Sequence, residues 1–169
     1  MPNPTMKLIA SVTVGAGGAA NISFSSIPGT YTDLLLKIST RNSFGSIQGD
    51  TVITFNGSGS SYSQRTLYGS GSGTASITET AITYRADGST ATANTFDNTE
   101  IYIPNYTVSQ YKSSSIDNVT ENNATGAFAA LAASLWSNNA AITSITLAPA
   151  SSATFAQYST AYLYGISNS

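Results

Sequence analysis

Asp97 with Glu100, and Asp117 with Glu121, are the most closely spaced acids in this chain. Two carboxyls can share acid and base work on a glycosidic bond when they face each other at roughly 5 to 10 Å. A spacing of three along a strand turns Asp97 and Glu100 to opposite faces. A spacing of four keeps Asp117 and Glu121 on one face but roughly 13 Å apart. A catalytic pair would therefore have to come from cross-strand pairing. The simpler reading of all 8 acids (Asp33, Asp50, Glu79, Asp87, Asp97, Glu100, Asp117 and Glu121) is solvated loop acids and rim charges. Asp97-Asn98-Thr99-Glu100 is the densest oxygen cluster for calcium. It lacks the EF-hand pattern, and a surface β loop accounts for it.

The chain has no histidine and no cysteine. It therefore lacks the side chain that titrates near neutrality and the usual soft metal ligands. No serine sits in a G-x-S-x-G elbow, and no imidazole exists to activate one. The glycines at 15–18 and 69–73 do not form a strand, G-x-x-x-x-G-K, helix unit. The expectation is a protein that is not an enzyme, with no cofactor and no metal.

Only 8% of the residues are charged, the net charge is −2 and the sequence pI is about 4.7. Nothing here makes a basic footprint for nucleic acid or a polybasic patch for anionic lipid. The longest apolar stretches, such as 127–133, are far below membrane-spanning length. Met1-Pro-Asn-Pro followed by one lysine does not read as a secretory signal, so the expected site of synthesis is a cytoplasm. Apolar residues make up 41%, too many for a disordered chain. Ser, Thr, Asn and Gly take the place of Lys and Glu. Such a surface repels neighbours weakly and suits burial in an assembly. Asn-x-Ser/Thr sequons at Asn21, Asn56, Asn105, Asn118 and Asn123 are expected by chance in this composition.

The strands come from period-two alternation. Lys7–Val14 places Leu8, Ala10, Val12 and Val14 on one face, and Ala20–Phe24 follows a glycine turn to suggest a hairpin. Asp33–Arg41 opens with Leu34-Leu35-Leu36, apolar on both faces, as in the middle of a sheet or under a partner. Further strands are read at Thr51–Phe55, Gln64–Tyr68, Ala75–Arg85, Thr95–Pro104, a more exposed Tyr111–Asn122, Ala141–Leu147 and Tyr158–Ile166. Asn56-Gly57 is a tight-turn signal, and 69–73 reads as a hairpin tip or exposed loop. Ala127–Trp136 fits both helical spacing (Phe128, Leu131, Leu135) and period two. Its neighbours are all strands, which favours strand. Nine or ten strands separated by turns predict an all-β, jelly-roll-like antiparallel sandwich over residues 7–169, after an N-terminal arm at 1–6.

The tyrosines offer large amphipathic surface at little rotamer cost. Tyr102, Tyr106, Tyr158, Tyr162 and Tyr164, with Leu34 and Leu36, are the candidate interface. Tyr158, Tyr162 and Tyr164 fall on one face of the last strand, as a subunit contact or a sugar groove would need. Trp136 is read as plugging one end of the core.

The segments VTVGAGGAANISFSSIPGTYTDLLLKISTR (Val12–Arg41), EIYIPNY (Glu100–Tyr106) and the closing FAQYSTAYLYGI (Phe155–Ile166) resemble a group of small tailed-phage virion proteins. These are described as head-decoration, head-fibre or tail-fibre proteins of environmental phages. The resemblance covers most of the chain and carries over no catalytic residues. It implies a β-sandwich, a homotrimer, synthesis in a bacterial host and a place in the virion. The function expected from it is a capsid decoration protein that contacts major capsid subunits and its own copies. The alternative is a fibre domain that binds host-surface glycans.

Overall fold

The computed structural model describes residues 5–123 and 126–167. Most of the expected N-terminal arm lies outside the described residues, and the first strand already begins at Met6. In chain order the strands are β1 (Met6–Thr13), β2 (Ile22–Phe24), β3 (Asp33–Ser39), β4 (Gln48–Phe55), β5 (Tyr62–Gly69), β6 (Thr74–Glu79), β7 (Ile82–Asp87), β8 (Asn98–Ile103), β9 (Lys112–Thr120), β10 (Phe128–Trp136), β11 (Ile145–Pro149) and β12 (Thr160–Ile166). They form an all-β sandwich with one eight-stranded sheet, β1-β12-β3-β8-β9-β10-β5-β6, and one four-stranded sheet, β2-β11-β4-β7. Among the described residues every pairing between these strands is antiparallel.

With β5, β6, β9 and β10 set aside, two four-stranded sheets remain, β1-β12-β3-β8 and β2-β11-β4-β7. The chain crosses between these sheets at nearly every step, which is the wrapping of a jelly roll. Two inserted hairpins, β5–β6 and β9–β10, then extend the larger sheet beyond β8. The count of twelve exceeds the nine or ten expected in part because Ala75–Arg85 divides into β6 and β7.

The core holds Leu34, Leu36, Ile38, Ile101, Ile103 and Leu163 from the large sheet. Against them pack Ile22, Phe24, Ile53, Phe55, Ile82, Ile145 and Leu147 from the small one. Trp136 closes one end, edge-on to Phe55 at 5.7 Å between centroids and stacked on Tyr62 at 6.2 Å. Gly165 is confined by sterics, because any side chain there would collide with the ring of Tyr31. Under the hairpin extension the interior turns polar. Asn118, Gln64, Thr66 and Ser134 are buried there, and the first three line a cavity of about 20 Å³, room for about one water. Asn118 crosses between the sheets. Its Oδ1 accepts from the Arg85 backbone N–H at 3.1 Å, and its Nδ2 donates to the Arg85 carbonyl at 2.9 Å.

Four local expectations need correction. β1 and β2 are not a hairpin; β1 pairs with β12 and β2 with β11, in different sheets. Alternation identifies a strand but not its partner. Ala75–Arg85 is two strands in different sheets, broken at Thr80 and Ala81. A β-bulge at Ile9 shifts the register, so Leu8 faces outward opposite Tyr164 while Ala10 and Val12 face inward. The Tyr111–Asn122 strand lies inside the sheet as β9 and buries every second residue. Its hidden face is mostly polar, which concealed it. Asn56 and Gly57 both have positive φ, as a type I′ turn requires.

Candidate functional site

The outer face of the eight-stranded sheet carries the most distinctive surface. Strand register builds it row by row. Leu131 on β10 lies opposite Leu67 on β5 and Asp117 on β9. In the next row Ala133 lies between Arg65 and Ser115, and Ser115 faces Tyr102. Leu131 is 64% exposed and Leu67 62%, a bare apolar ridge. Ser113, Ser115 and Ala133 are small, so the sheet dips between this ridge and Tyr102. The resulting groove has a volume of about 730 Å³. Lys37 and Glu100 on the same face pair with each other, so their charges cancel locally.

Two of the candidate tyrosines frame a buried leucine on this face. Leu35 lies between Tyr164 on β12 and Tyr102 on β8 in strand register, and it is buried although it points outward. This is the middle-of-sheet position that the triple leucine implied. Asp33, buried at the start of β3, sets the angle of Tyr102. Its Oδ2 accepts from the Tyr102 hydroxyl at 2.7 Å, and its Oδ1 accepts from the Asn105 N–H at 2.9 Å. That hydrogen bond, with some desolvation, pushes the Tyr102 hydroxyl above the usual tyrosine range.

The structure divides the seven candidate interface residues. Tyr102, Tyr162 and Tyr164 share the outer face. Leu34 and Leu36 do not, because both are fully buried between the sheets. Tyr106 is also core; its ring is buried and its hydroxyl donates to the Pro28 carbonyl. Tyr158 is exposed but precedes β12 in a turn, so strand alternation does not align it with Tyr162 and Tyr164. Leu67 and Leu131 were missed in the sequence. Their signal was available, since both sit at the outward phase of alternating strands.

The acids are not all solvated. Asp33, Asp87 and Asp97 are buried. Asp97 accepts from the Thr40 hydroxyl at 2.7 Å and from the hydroxyl of Thr99. Burial outweighs these bonds and pushes its carboxyl up to about 7, with the neighbouring Asp87 adding to the effect. Asp97 faces inward and Glu100 faces Lys37 outside, so the Asp97–Glu100 stretch does not converge on one point. Among the described residues no three His, Cys, Asp or Glu side chains gather as a metal cluster. The sequon residue Asn118 is buried and hydrogen-bonded, which removes it as a glycan acceptor.

No protein-family model matches this chain, and neither a curated protein nor a solved structure does.

Proposed function

We propose that this chain is a non-enzymatic virion structural protein of the capsid-decoration type. It acts by laying the outer face of its large sheet against major capsid subunits and neighbouring copies of itself. The observation that carries this reading is the Leu67–Leu131 ridge, standing bare on a face whose charges are few and partly self-cancelled. Large exposed apolar patches mark interaction surfaces. Eight strands at about 4.8 Å spacing and about 25 Å length give on the order of 900 Å², which matches one side of a standard interface. The jelly roll serves viral capsids and lectins alike, so the fold supports the reading without deciding it. The sequence resemblance to phage virion proteins points the same way.

The test is stoichiometry and attachment. Gel densitometry of purified particles of the source phage should show this chain in many copies, where a fibre would show few. Added back to particles stripped of it, the chain should co-sediment with them. A chain that stays a soluble monomer and sediments with no particle would sink the proposal, as would turnover of a polysaccharide.

A further inference from the structure

At one end of the sandwich, Tyr158 occupies a conformation that its side chain disfavours. Ala156 to Ser159 forms a turn closed by the Ser159 N–H on the Ala156 carbonyl at 3.2 Å. Tyr158, the third residue, has φ of 73°. Glycine or asparagine normally fills that position, and a bulky side chain there is an outlier. The backbone is locked in place by the Tyr158 N–H on the Val14 carbonyl at 3.0 Å and the Ala156 N–H on the Arg41 carbonyl at 2.8 Å. The ring gains no burial in return, being 69% exposed. Strain held at an exposed aromatic is a feature of binding sites.

The ring borders a depression of about 320 Å³, lined also by Arg41, Asn94, Phe96 and Gln157. Arg41 is a structural clamp in this site. Its Nη1 donates to the carbonyls of Thr92 at 2.8 Å and Thr95 at 3.2 Å, and its Nη2 to those of Ala91 at 2.9 Å and Ser89 at 3.3 Å. The loop opposite Tyr158 is therefore held in place before any ligand arrives, which lowers the cost of binding. Among the described residues no carboxylate lines the depression, and its one guanidinium is engaged by the loop. What remains on offer is an aromatic face, a half-buried phenyl ring and two neutral amides. A volume near 300 Å³ suits a small ligand.

We infer that this depression is a binding site for a neutral sugar ring, stacked on Tyr158 and hydrogen-bonded by Asn94 and Gln157. The site stands apart from the Leu67–Leu131 ridge and does not depend on the decoration reading. An anionic ligand would meet no free cation here.

Saturation-transfer NMR on the full chain tests this, with the methyl glycosides of glucose, galactose, mannose and N-acetylglucosamine as probes. At least one should receive saturation from the protein. Tyr158→Gly should abolish that signal and, by relieving the backbone, raise the melting temperature by about 2–4 °C. Asn94→Gly is a second variant that keeps the fold, because Asn94 also has positive φ at 66°; it should weaken the signal at least tenfold. Leu131→Asp, on the other surface, should leave it unchanged. Absence of signal from all four glycosides, or a signal that survives in Tyr158→Gly, overturns the inference and leaves particle attachment unaffected.

Discussion

The Thr40 hydroxyl donates to Asp97 Oδ1 across 2.7 Å, and the Thr40 oxygen also meets the Tyr84 hydroxyl at 3.2 Å. A threonine has one proton to give. With Asp97 ionised, Tyr84 is therefore the donor to Thr40, and one chain of hydrogen bonds runs from the small sheet to the acid. All three side chains are buried.

The burial of Asp97, which outweighs these bonds, predicts an unusual pH dependence. Asp97 holds its proton up to about 7 in the folded chain, against 3.8 for the free side chain. Between those values the folded state binds more protons than the unfolded state. Stability from this group is therefore complete below about pH 4, falls as pH rises to about 7, and is level above. The largest loss from this acid alone is about 4 kcal/mol. Urea unfolding of wild type and Asp97→Asn across the window measures it. The difference between the two curves should narrow as pH falls, and parallel curves would refute the assignment.

Asn118 supplies a second prediction. Asn118→Ala removes a side chain that satisfies both the N–H and the carbonyl of Arg85. The variant should lose about 2–4 kcal/mol, the cost of stranding buried backbone groups. Denaturant titration reads this directly, and a loss under about 1 kcal/mol would mean that water takes over both bonds.

Trp136 is the single tryptophan. Trp136→Ala should cost about 3–5 kcal/mol by leaving a cavity beside Phe55 and Tyr62. In the wild type its emission should be that of an indole shielded from water and should shift red in one step with global unfolding. Emission already characteristic of a solvated indole would contradict its burial.

The outer face makes the opposite demand. Leu131→Asp and Leu67→Asp alter exposed side chains, so folding stability should change by about 0.5 kcal/mol or less. Attachment to particles should nevertheless fall by at least tenfold. Co-sedimentation at matched protein concentration checks it; unaltered attachment would move the contact elsewhere.

Much of this fold was legible because burial alternates along its strands. Ala127–Trp136 shows why: both periods fitted the residues, and the surrounding strands correctly decided for β10. Strand partners were less legible, as β1 and β2 demonstrate. A jelly roll sends adjacent strands to different sheets, and no local pattern encodes that crossing. The corner at Thr80 and Ala81 was invisible because it contains neither proline nor glycine. The candidate site was half legible. Alternation placed Tyr162 and Tyr164 correctly, but it could not tell the outward Leu35 from the inward Leu34 and Leu36. The burial of Asp97 was hidden because Thr40, which donates to it, is distant in sequence.

The β5–β6 hairpin is joined at Ser70–Gly73, where the Ser70 N–H meets the Gly73 carbonyl at 2.9 Å. That tip belongs to an inserted hairpin and not to the two four-stranded sheets of the jelly roll. Extra residues spliced there would be carried clear of the core, as tolerated insertions usually are. The chain thus offers a ready mount for foreign peptides, a means of displaying an epitope while the scaffold beneath keeps its shape.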